Sequence, residues 1–415
     1  MIQLTENIIN DAKDITERVI KLLPVSVLGA EKIVFFAKAV GAIPPEQKLA
    51  LLRFMNGVLS EMLRKEASDI EAGGFGAQGF IWLRVYGGKD RIPELPKLSI
   101  DQMAIIILNM LTDQQRADLL KNRNLDFSYT FKSETDSTFY RFRSDAYMEL
   151  DTLTLNMRAI SSKIRKINTL GINQNAIAMM HHHNVKQGIV LITGITGSGK
   201  SSTLDALVDM HNETDNCQII IIAAPIEFVH SSNKAIIKHR EVGRDVPTFK
   251  DGVIQALRQD PDIIVIGEMR DPETIMAALE VADTGHKVFS TLHTSSAVES
   301  LDRIIAEVEP SEQDRVRNRL ADVLTAVVSQ KLVPSLDGKR VMAKEVLLMT
   351  PSVQAAIKNN NTQEIYMMIN QSSALGMITM EQDLKNLYTT RKISLEMALS
   401  YANNKSRLKQ ILGIN

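Results

Sequence analysis

Eight residues near the middle of the chain have the types and spacing of a phosphate-binding loop. The segment Gly194–Ser201 reads GITGSGKS and matches the pattern G-x-x-x-x-G-K-[ST]. Glycines in such a loop let the backbone curl so that successive N–H groups point at phosphate oxygens. Lys200 is expected to reach the β- and γ-phosphates of a nucleotide, and the Ser201 hydroxyl is expected to bind Mg²⁺. A strand-like run precedes the loop and a helical run follows it, which is the context that this chemistry requires.

An acid follows a second apolar run, as this chemistry also requires. In DPDIIVIGEMRD, residues 263–266 are expected to form a core strand, Gly267 leaves room, and Glu268 emerges next. There Glu268 would lie beside a Mg²⁺-bound water or the γ-phosphate. The alternative is that Glu268 is only an acid at the end of a strand.

Two groups of histidines have different surroundings. His286 and His293 flank one apolar strand in DTGHKVFSTLHTSSA, with two threonines alongside, and this pattern suggests a γ-phosphate sensor. A purely structural role is the alternative for both. The run His181–His183 falls in a predicted loop without acid or thiol neighbours at ligand spacing, so we expect it to be solvated.

The elements that must position these residues follow from hydrophobic patterning. The apolar runs GIVLIT, QIIIIA, DIIVIG and KVFSTLH alternate with helical or polar stretches, which predicts an α/β domain with a largely parallel sheet over 187–310. A mostly helical region is expected over 311–415, and a connecting stretch over 163–186. Residues 66–162 are predicted to form a small α+β domain, with a strand at Phe80–Tyr86.

The first 65 residues have apolar positions at helical spacing. Thr5 is the expected N-cap of a first helix, which Pro24 would end. We expect this segment to be a helical extension, serving either as an interaction platform or as a packing element.

Composition limits the possible classes of protein. The chain has 415 residues, a formal net charge of −1, 44% hydrophobic and 23% charged residues, and a single cysteine, Cys217. This balance provides no global basic field for nucleic acid, and one cysteine excludes a disulfide framework or a four-thiolate zinc site. No apolar run approaches the roughly 20 residues of a membrane span, and the N-terminus lacks a signal-peptide pattern. A cytoplasmic location is expected, with any membrane association through a partner.

Together these motifs resemble the PilT family, the retraction ATPases of type IV pili within the secretion ATPase superfamily. The resemblance rests on GITGSGKSS, PIEFVH, REVGRD, ALRQDPDIIVIGEMRDPETI, TGHKVFSTLHTSSA and ALGMITMEQDL, and it covers about residues 67–400. It implies a RecA-like P-loop domain preceded by a small PAS-like domain, assembled as a hexamer. ATP would lie between the two domains, and its hydrolysis would move them to remove pilin at the inner membrane.

The resemblance also assigns roles to individual residues. Glu268 falls on the Walker B glutamate, and His286 and His293 fall on the family's His box. Arg143 and Arg158 match small-domain arginines that approach the phosphates, where a guanidinium would offset charge developing on the γ-phosphoryl group; the alternative is surface charge. The residues that the Walker A match assigns to the nucleotide are Gly194, Thr196, Gly197, Ser198, Gly199, Lys200, Ser201 and Ser202.

The sequence departs from the family in three places. The Asp box usually reads E-D-P-I-E, whereas this chain has alanines at 223 and 224, followed by Pro225, Ile226 and Glu227. Methyl groups neither coordinate Mg²⁺ nor accept a proton, so Glu227 and Glu268 are the carboxylates left for catalysis. The stretch VQAAIKNNN stands where the family carries an arginine-containing helix, and family members typically begin close to the small domain.

These departures leave two main hypotheses and a third from another class. The chain is either a hexameric motor for pilus retraction and twitching motility, slowed by the missing carboxylates, or a PilU-like accessory subunit that binds ATP but hardly hydrolyses it. The expected partners are further copies of the chain, an inner-membrane platform protein and a paralogous pilus ATPase. A nucleic-acid translocase is the third reading, and the near-neutral charge and lack of an aromatic-basic stripe argue against it. The alanines would otherwise serve only in packing.

Overall fold

The computed structural model describes residues 2–85, 88–91, 97–132, 139–160 and 164–414. By its internal contacts the chain divides into two compact units, Met1–Ser162 and Lys163–Asn415. The predicted end of the small domain at Ser162 lies outside the described residues. The predicted segment bounds therefore remain predictions.

Three helices open the first unit: α1 (Glu6–Lys21), α2 (Ala30–Ala42) and α3 (Pro45–Arg64). Thr5 occupies the N-cap position of α1 in an extended conformation, without a side-chain capping bond. The apolar faces of these helices share one core with the helix α4 (Ile100–Met110), in which Phe36, Phe54 and Ile105 are fully buried. The N-terminal segment is therefore a packing element of its unit.

A six-stranded antiparallel sheet completes the first unit, in the order β3-β2-β1-β6-β5-β4. The helices α4 and α5 (Asp113–Asn122) each begin with a capping box, which fixes where they start. The predicted strand at Phe80–Tyr86 is shorter in the structure, and Tyr86 lies outside the described residues. The strands are β1 (Asp69–Gly73), β2 (Trp82–Val85), β3 (Gly88–Arg91), β4 (Asn124–Lys132), β5 (Phe139–Glu149) and β6 (Thr152–Ala159).

The second unit is built on a seven-stranded sheet in the order β13-β12-β7-β11-β10-β8-β9. Neighbours from β12 to β9 pair in parallel, and β13 is an antiparallel edge strand. Every residue of β7 and β11 is buried, as expected for parallel strands covered on both faces. The strands are β7 (Gly188–Thr193), β8 (Gln218–Ala223), β9 (Ile236–Glu241), β10 (Ile263–Ile266), β11 (Lys287–Leu292), β12 (Leu324–Pro334) and β13 (Arg340–Leu348).

Eleven α-helices are described in the second unit. They are α6 (Gln174–Met180), α7 (Lys200–Thr214), α8 (Phe249–Ala256), α9 (Pro272–Asp283), α10 (Ala297–Ala306), α11 (Gln313–Val323), α12 (Pro351–Lys358), α13 (Ile365–Gln371), α14 (Met380–Thr389), α15 (Leu395–Tyr401) and α16 (Lys405–Leu412). None of the helices in the described part of the chain is both long enough and apolar enough to cross a bilayer.

The expectation of a mostly helical region after about 310 is wrong for two long strands. β12 pairs in parallel with β7, with Ser329 beside Thr193, and β13 extends the same sheet. The sequence hides this because α11 passes directly into β12 at Leu324 without a glycine or proline to mark the change. The apolar run LTAVVS also lacks the alternation that distinguishes a half-buried strand from a helix.

Candidate nucleotide site

The predicted site lies at one edge of the seven-stranded sheet. β7, β8, β10 and β11 are parallel, so their carboxyl ends meet at the same edge. The segments that follow these ends carry the P-loop, Glu227, Glu268 and His293 respectively. The fold thus gathers residues that are up to 99 positions apart between Gly194 and His293.

The P-loop has the backbone shape that its glycines predict. Gly194, Gly197 and Gly199 have φ values of +153°, +80° and +88°. A Cβ at Gly194 would lie 2.3 Å from the Oγ of Ser198, so a side chain there would displace the loop. Thr196 and Gly197 are exposed at the tip, and α7 begins at Lys200 with Ser201 and Ser202 in its first turn. The free N–H groups of that turn therefore face the loop, as an anion requires.

Gln330 on β12 holds the P-loop through hydrogen bonds, and the sequence analysis did not predict this role. Its Nε2 donates to the carbonyl oxygen of Ser198 at 2.7 Å, and its Oε1 accepts from the Oγ1 of Thr203 at 2.9 Å. On the neighbouring residue, the Ser329 hydroxyl is 2.7 Å from that of Thr193. β12 therefore fixes both the entry and the exit of the P-loop.

Lys200 is folded onto its own loop. Its Nζ donates to the carbonyl oxygens of Gly194 at 2.9 Å and Ile195 at 3.2 Å. Burial lowers the pKa of Lys200, while the charges of Glu268 and Glu227 act in the opposite direction. The Oγ of Ser198 is buried without a hydrogen-bond partner. An ammonium, an unused hydroxyl and a helix N-terminus around one glycine-rich turn fit a polyphosphate.

Glu268 lies between two basic groups. Its carboxylate is 2.7 Å from the Nε of Arg270 and 3.7 Å from the Nε2 of His293. Burial is the largest cause of a lowered pKa at His293, and the charge of Lys200 adds to it. A neutral imidazole beside a carboxylate can accept or donate one hydrogen bond at a reacting water. Arg270 was not anticipated, although it lies two residues after Glu268 in the sequence.

His286 does not join this group within its own chain. It precedes β11, whereas His293 follows it, so the six-residue strand separates them by about 20 Å. Its backbone carbonyl accepts from Gly188, at the opposite end of β7 from the P-loop. The hypothesis of two histidines acting together on one γ-phosphate is therefore wrong for His286 beside the P-loop of its own chain.

The two alanines at the end of β8 differ in their surroundings. Ala223 is partly buried and packs against the core of the second unit, whereas Ala224 and Glu227 are exposed. The backbone N–H of Ile226 donates to the carboxylate of Glu241 at 3.1 Å. A packing role accounts for Ala223 but not for Ala224, which has space for a longer side chain.

The candidate arginines belong to the first unit. The Nε of Arg158 is 2.7 Å from Asp69, and the Nε of Arg143 is 4.0 Å from Asp126. The Arg158 and Arg143 side chains remain 70% and 52% exposed, so neither guanidinium is consumed by its local carboxylate. Their action on phosphate remains a prediction.

The histidine run is only partly solvated. His183 is exposed as expected, but His181 and His182 are half-buried. The Nδ1 of His181 is 3.6 Å from the carboxylate of Asp215, which follows α7. The expectation of a solvated run without acid neighbours is wrong for these two residues, because folding brings in an acid from 34 positions away.

Comparison with known proteins adds to this geometry. The family model described as "Type II/IV secretion system protein" matches residues 46–410. The chain is 39% identical over 316 residues to the "Type IV pilus retractation ATPase PilT" of Pseudomonas aeruginosa, which covers 76% of this chain and 89% of that protein. A "Twitching motility protein" of Neisseria gonorrhoeae is 38% identical over 78% of this chain and 84% of its own length.

One further sequence relative and one solved structure are also similar to this chain. The "Type IV pilus ATPase PilU" of Pseudomonas aeruginosa is 33% identical over 76% of this chain and 81% of that protein. The crystal structure of the "Pilus Retraction Motor PilT and Bound ADP" superimposes with a TM-score of 0.77 at 33% identity, covering 85% of this chain and 98% of that one.

Proposed function

The chain belongs to the type II/IV secretion system protein family and has its P-loop ATPase fold, and we propose that it is a PilT-like hexameric ATPase that couples ATP hydrolysis to type IV pilus retraction. The observation that carries the proposal is the cluster of Lys200, Glu268 and His293 at the carboxyl edge of the sheet, beside a P-loop whose glycines have the required φ values. Similarity to the PilT and twitching motility proteins supports retraction as the use of that ATPase.

Each residue of the cluster has a role in the proposed reaction. The P-loop N–H groups and Lys200 bind the β- and γ-phosphates of ATP, and the Lys200 ammonium exchanges two loop carbonyls for phosphate oxygens. Ser201 and Glu268 would hold Mg²⁺, which would neutralise phosphate charge. Glu268 polarises the attacking water, while His293 orients it or the γ-phosphate. In the assembled protein, Arg143 and Arg158 offset the charge that develops on the γ-phosphoryl group.

The resemblance to the PilT family also supports a proposal for the assembly and the location of the chain. The chain assembles as a homo-hexamer in the cytoplasm. It acts at the inner membrane through a pilus platform protein and works alongside a paralogous pilus ATPase. His286, which is remote from the P-loop of its own chain, has its family role only if another chain supplies the phosphate that it meets.

A second candidate function rests on the alanines. Without carboxylates at 223 and 224 the metal and the water lose two groups that would position them, and losing one such group typically costs about 10²–10³ in rate. A chain that binds ATP but hydrolyses it very slowly would serve as a PilU-like accessory subunit, and the similarity to PilU is in keeping with this alternative.

Turnover of the purified chain separates the two. We expect the wild type to hydrolyse ATP clearly above Lys200→Ala, and Ala224→Asp, alone or with Ala223→Glu, to raise the rate. Ala374→Asp adds a negative charge at an exposed alanine of the second unit and is the matched control. A wild-type rate equal to that of Lys200→Ala, with ATP binding intact, would exclude the motor and leave the accessory role.

A further inference from the structure

A second polar cluster lies at the far end of the P-loop helix. α7 is 15 residues long, so its last turn is about 22 Å from the nucleotide site. There His211 and Asp215 meet His181, which enters from the segment before β7. One potential ligand atom from each of the three lies within 4.8 Å of the other two.

The hydrogen bonds of His211 fix its tautomer. Its Nδ1 is 2.7 Å from the carbonyl oxygen of Leu207, so Nδ1 carries the proton and donates it. Its Nε2 is therefore the lone-pair atom, and it accepts the backbone N–H of His182 at 3.0 Å. The imidazole is thus neutral and is oriented from behind by a backbone carbonyl, as metal-binding histidines commonly are, while its Nε2 lone pair is held by the His182 N–H.

His181 and Asp215 each direct a hydrogen-bond acceptor towards the other, namely the Nδ1 of His181 and the Oδ2 of Asp215. The backbone N–H of His183 donates to the Nδ1 of His181 at 3.2 Å, and the Nε2 of His181 is 3.1 Å from the Oγ1 of Thr214. The lone pair on Nδ1 therefore lies 3.6 Å from the Oδ2 of Asp215. That oxygen is buried and has no hydrogen-bond partner. A buried carboxylate oxygen opposite an imidazole lone pair is unfavourable unless a cation lies between them.

We propose that His181, His211 and Asp215 bind a divalent transition-metal ion, for which Zn²⁺ is the best match. Two imidazoles and one carboxylate are the donors that Zn²⁺ takes, at about 2.0–2.2 Å, with water as a fourth ligand. The His181–Asp215 distance of 3.6 Å is already near the roughly 3.3 Å that separates two ligands of a tetrahedral site. The negative end of α7 adds a favourable field for a cation.

The charge of the neighbouring Lys287 acts against a cation, just as it adds to burial in lowering the pKa of His211. The nearby ammonium of Lys287 is directed away, to the carbonyl oxygens of Met179 at 3.3 Å and Val185 at 2.8 Å. Metal binding requires the backbone N–H groups of His182 and His183 to release the two imidazole lone pairs. His183 is exposed, so its N–H can turn to water. The ion would link the segment before β7 to the C-terminal end of α7, whose first turn is proposed to bind phosphate.

Zinc titration of the tag-free, chelator-treated full chain tests the proposal. We expect one Zn²⁺ per chain by calorimetry, no competition from millimolar Mg²⁺, and a rise in Tm of several degrees with Zn²⁺. His181→Gln and Asp215→Asn should each weaken Zn²⁺ binding by more than the roughly 10–100-fold that loss of an outer-shell partner typically costs, since each removes one ligand of the site. His183→Gln removes an exposed imidazole of the same run and should bind Zn²⁺ as the wild type does.

Two results would overturn the site. One is a wild type that takes up no stoichiometric Zn²⁺. The other is an equal loss of affinity in His183→Gln and His181→Gln, which indicates adventitious binding to surface imidazoles. Binding of MgADP, measured in the same samples, reports whether each variant is folded. It also keeps this outcome separate from the ATPase proposal, because a folded Asp215→Asn should retain MgADP while losing Zn²⁺.

Discussion

Replacing Gln330 tests whether β12 holds the P-loop in its binding conformation. Gln330, Ser198 and Thr203 are all at most 2% exposed. Gln330→Ala therefore leaves a buried carbonyl and a buried hydroxyl without their partners at 2.7 and 2.9 Å. Each unsatisfied group costs about 1–3 kcal/mol, so the combined penalty is about 2–6 kcal/mol. This cost falls on the loop that must present its N–H groups to phosphate.

Two measurements distinguish loop disorder from general destabilisation. If about 2 kcal/mol of the penalty destabilises the MgADP-bound state relative to the free state, the Kd for MgADP rises about 30-fold. The Tm should also fall by several degrees. Gln330→Glu has nearly the same shape and keeps an acceptor for Thr203, but it sets a carboxylate against the Ser198 carbonyl. We expect it to bind MgADP at least as weakly as Gln330→Ala.

The matched control is a glutamine outside the site. Gln354→Ala removes an exposed hydrogen bond to Asp322 at 2.9 Å, and we expect both Tm and MgADP affinity to stay near the wild-type values. The reasoning is refuted if Gln330→Glu binds MgADP as tightly as the wild type. In that case the bond to Ser198 does not determine the shape of the loop.

Three further predictions concern other groups. Burial raises the pKa of Glu345 to about 7, so the stability that its protonated form contributes is full below about pH 4.5 and is lost as the pH rises through 7. The unfolding free energy of the wild type, measured by urea denaturation, should therefore fall by up to about 3 kcal/mol between pH 5 and 8. The unfolding free energy of Glu345→Gln should not fall in this way. His293→Gln should lower ATP turnover about 10²-fold without weakening MgADP binding. His286→Gln should retain the wild-type rate if no other chain supplies phosphate to His286. Arg158→Ala should reduce turnover more than Asp69→Asn does; equal losses in the two would mean that the 2.7 Å ion pair, rather than phosphate contact, is what matters.

Features with a local cause could be predicted from the sequence. The P-loop was recognisable because its chemistry requires glycine at positions a few residues apart, and the observed φ values are those that favour glycine. The parallel sheet follows from several short apolar runs such as residues 219–222, which are typical of strands buried on both faces and alternate with helical stretches. Placing Glu268 at the carboxyl edge followed from the same rule, because the strand and its following residue are contiguous.

Features that depend on distant pairing were not accessible in this way. Gln330 meets Ser198 across 132 positions, and no local pattern marks a glutamine in β12 as a support for another strand's loop. Asp215 meets His181 for the same reason. His286 is a different case, since a strand of six residues necessarily holds its two ends apart. Its separation from His293 therefore follows from the length of the strand itself.

The missing Asp-box carboxylates change the balance of charge around Lys200. The acids that act on its ammonium are Glu268 and Glu227, and Glu268 is also paired with Arg270 at 2.7 Å. With so little negative charge nearby, the ammonium bonds to its own loop carbonyls. An incoming phosphate then displaces neutral acceptors rather than carboxylates, which favours nucleotide binding. The same deficit leaves only Glu268 and Glu227 to position both metal and water, which disfavours hydrolysis. Tight binding with slow turnover is therefore the behaviour that this edge of the sheet should produce, and Ala224→Asp should shift both quantities in the opposite direction.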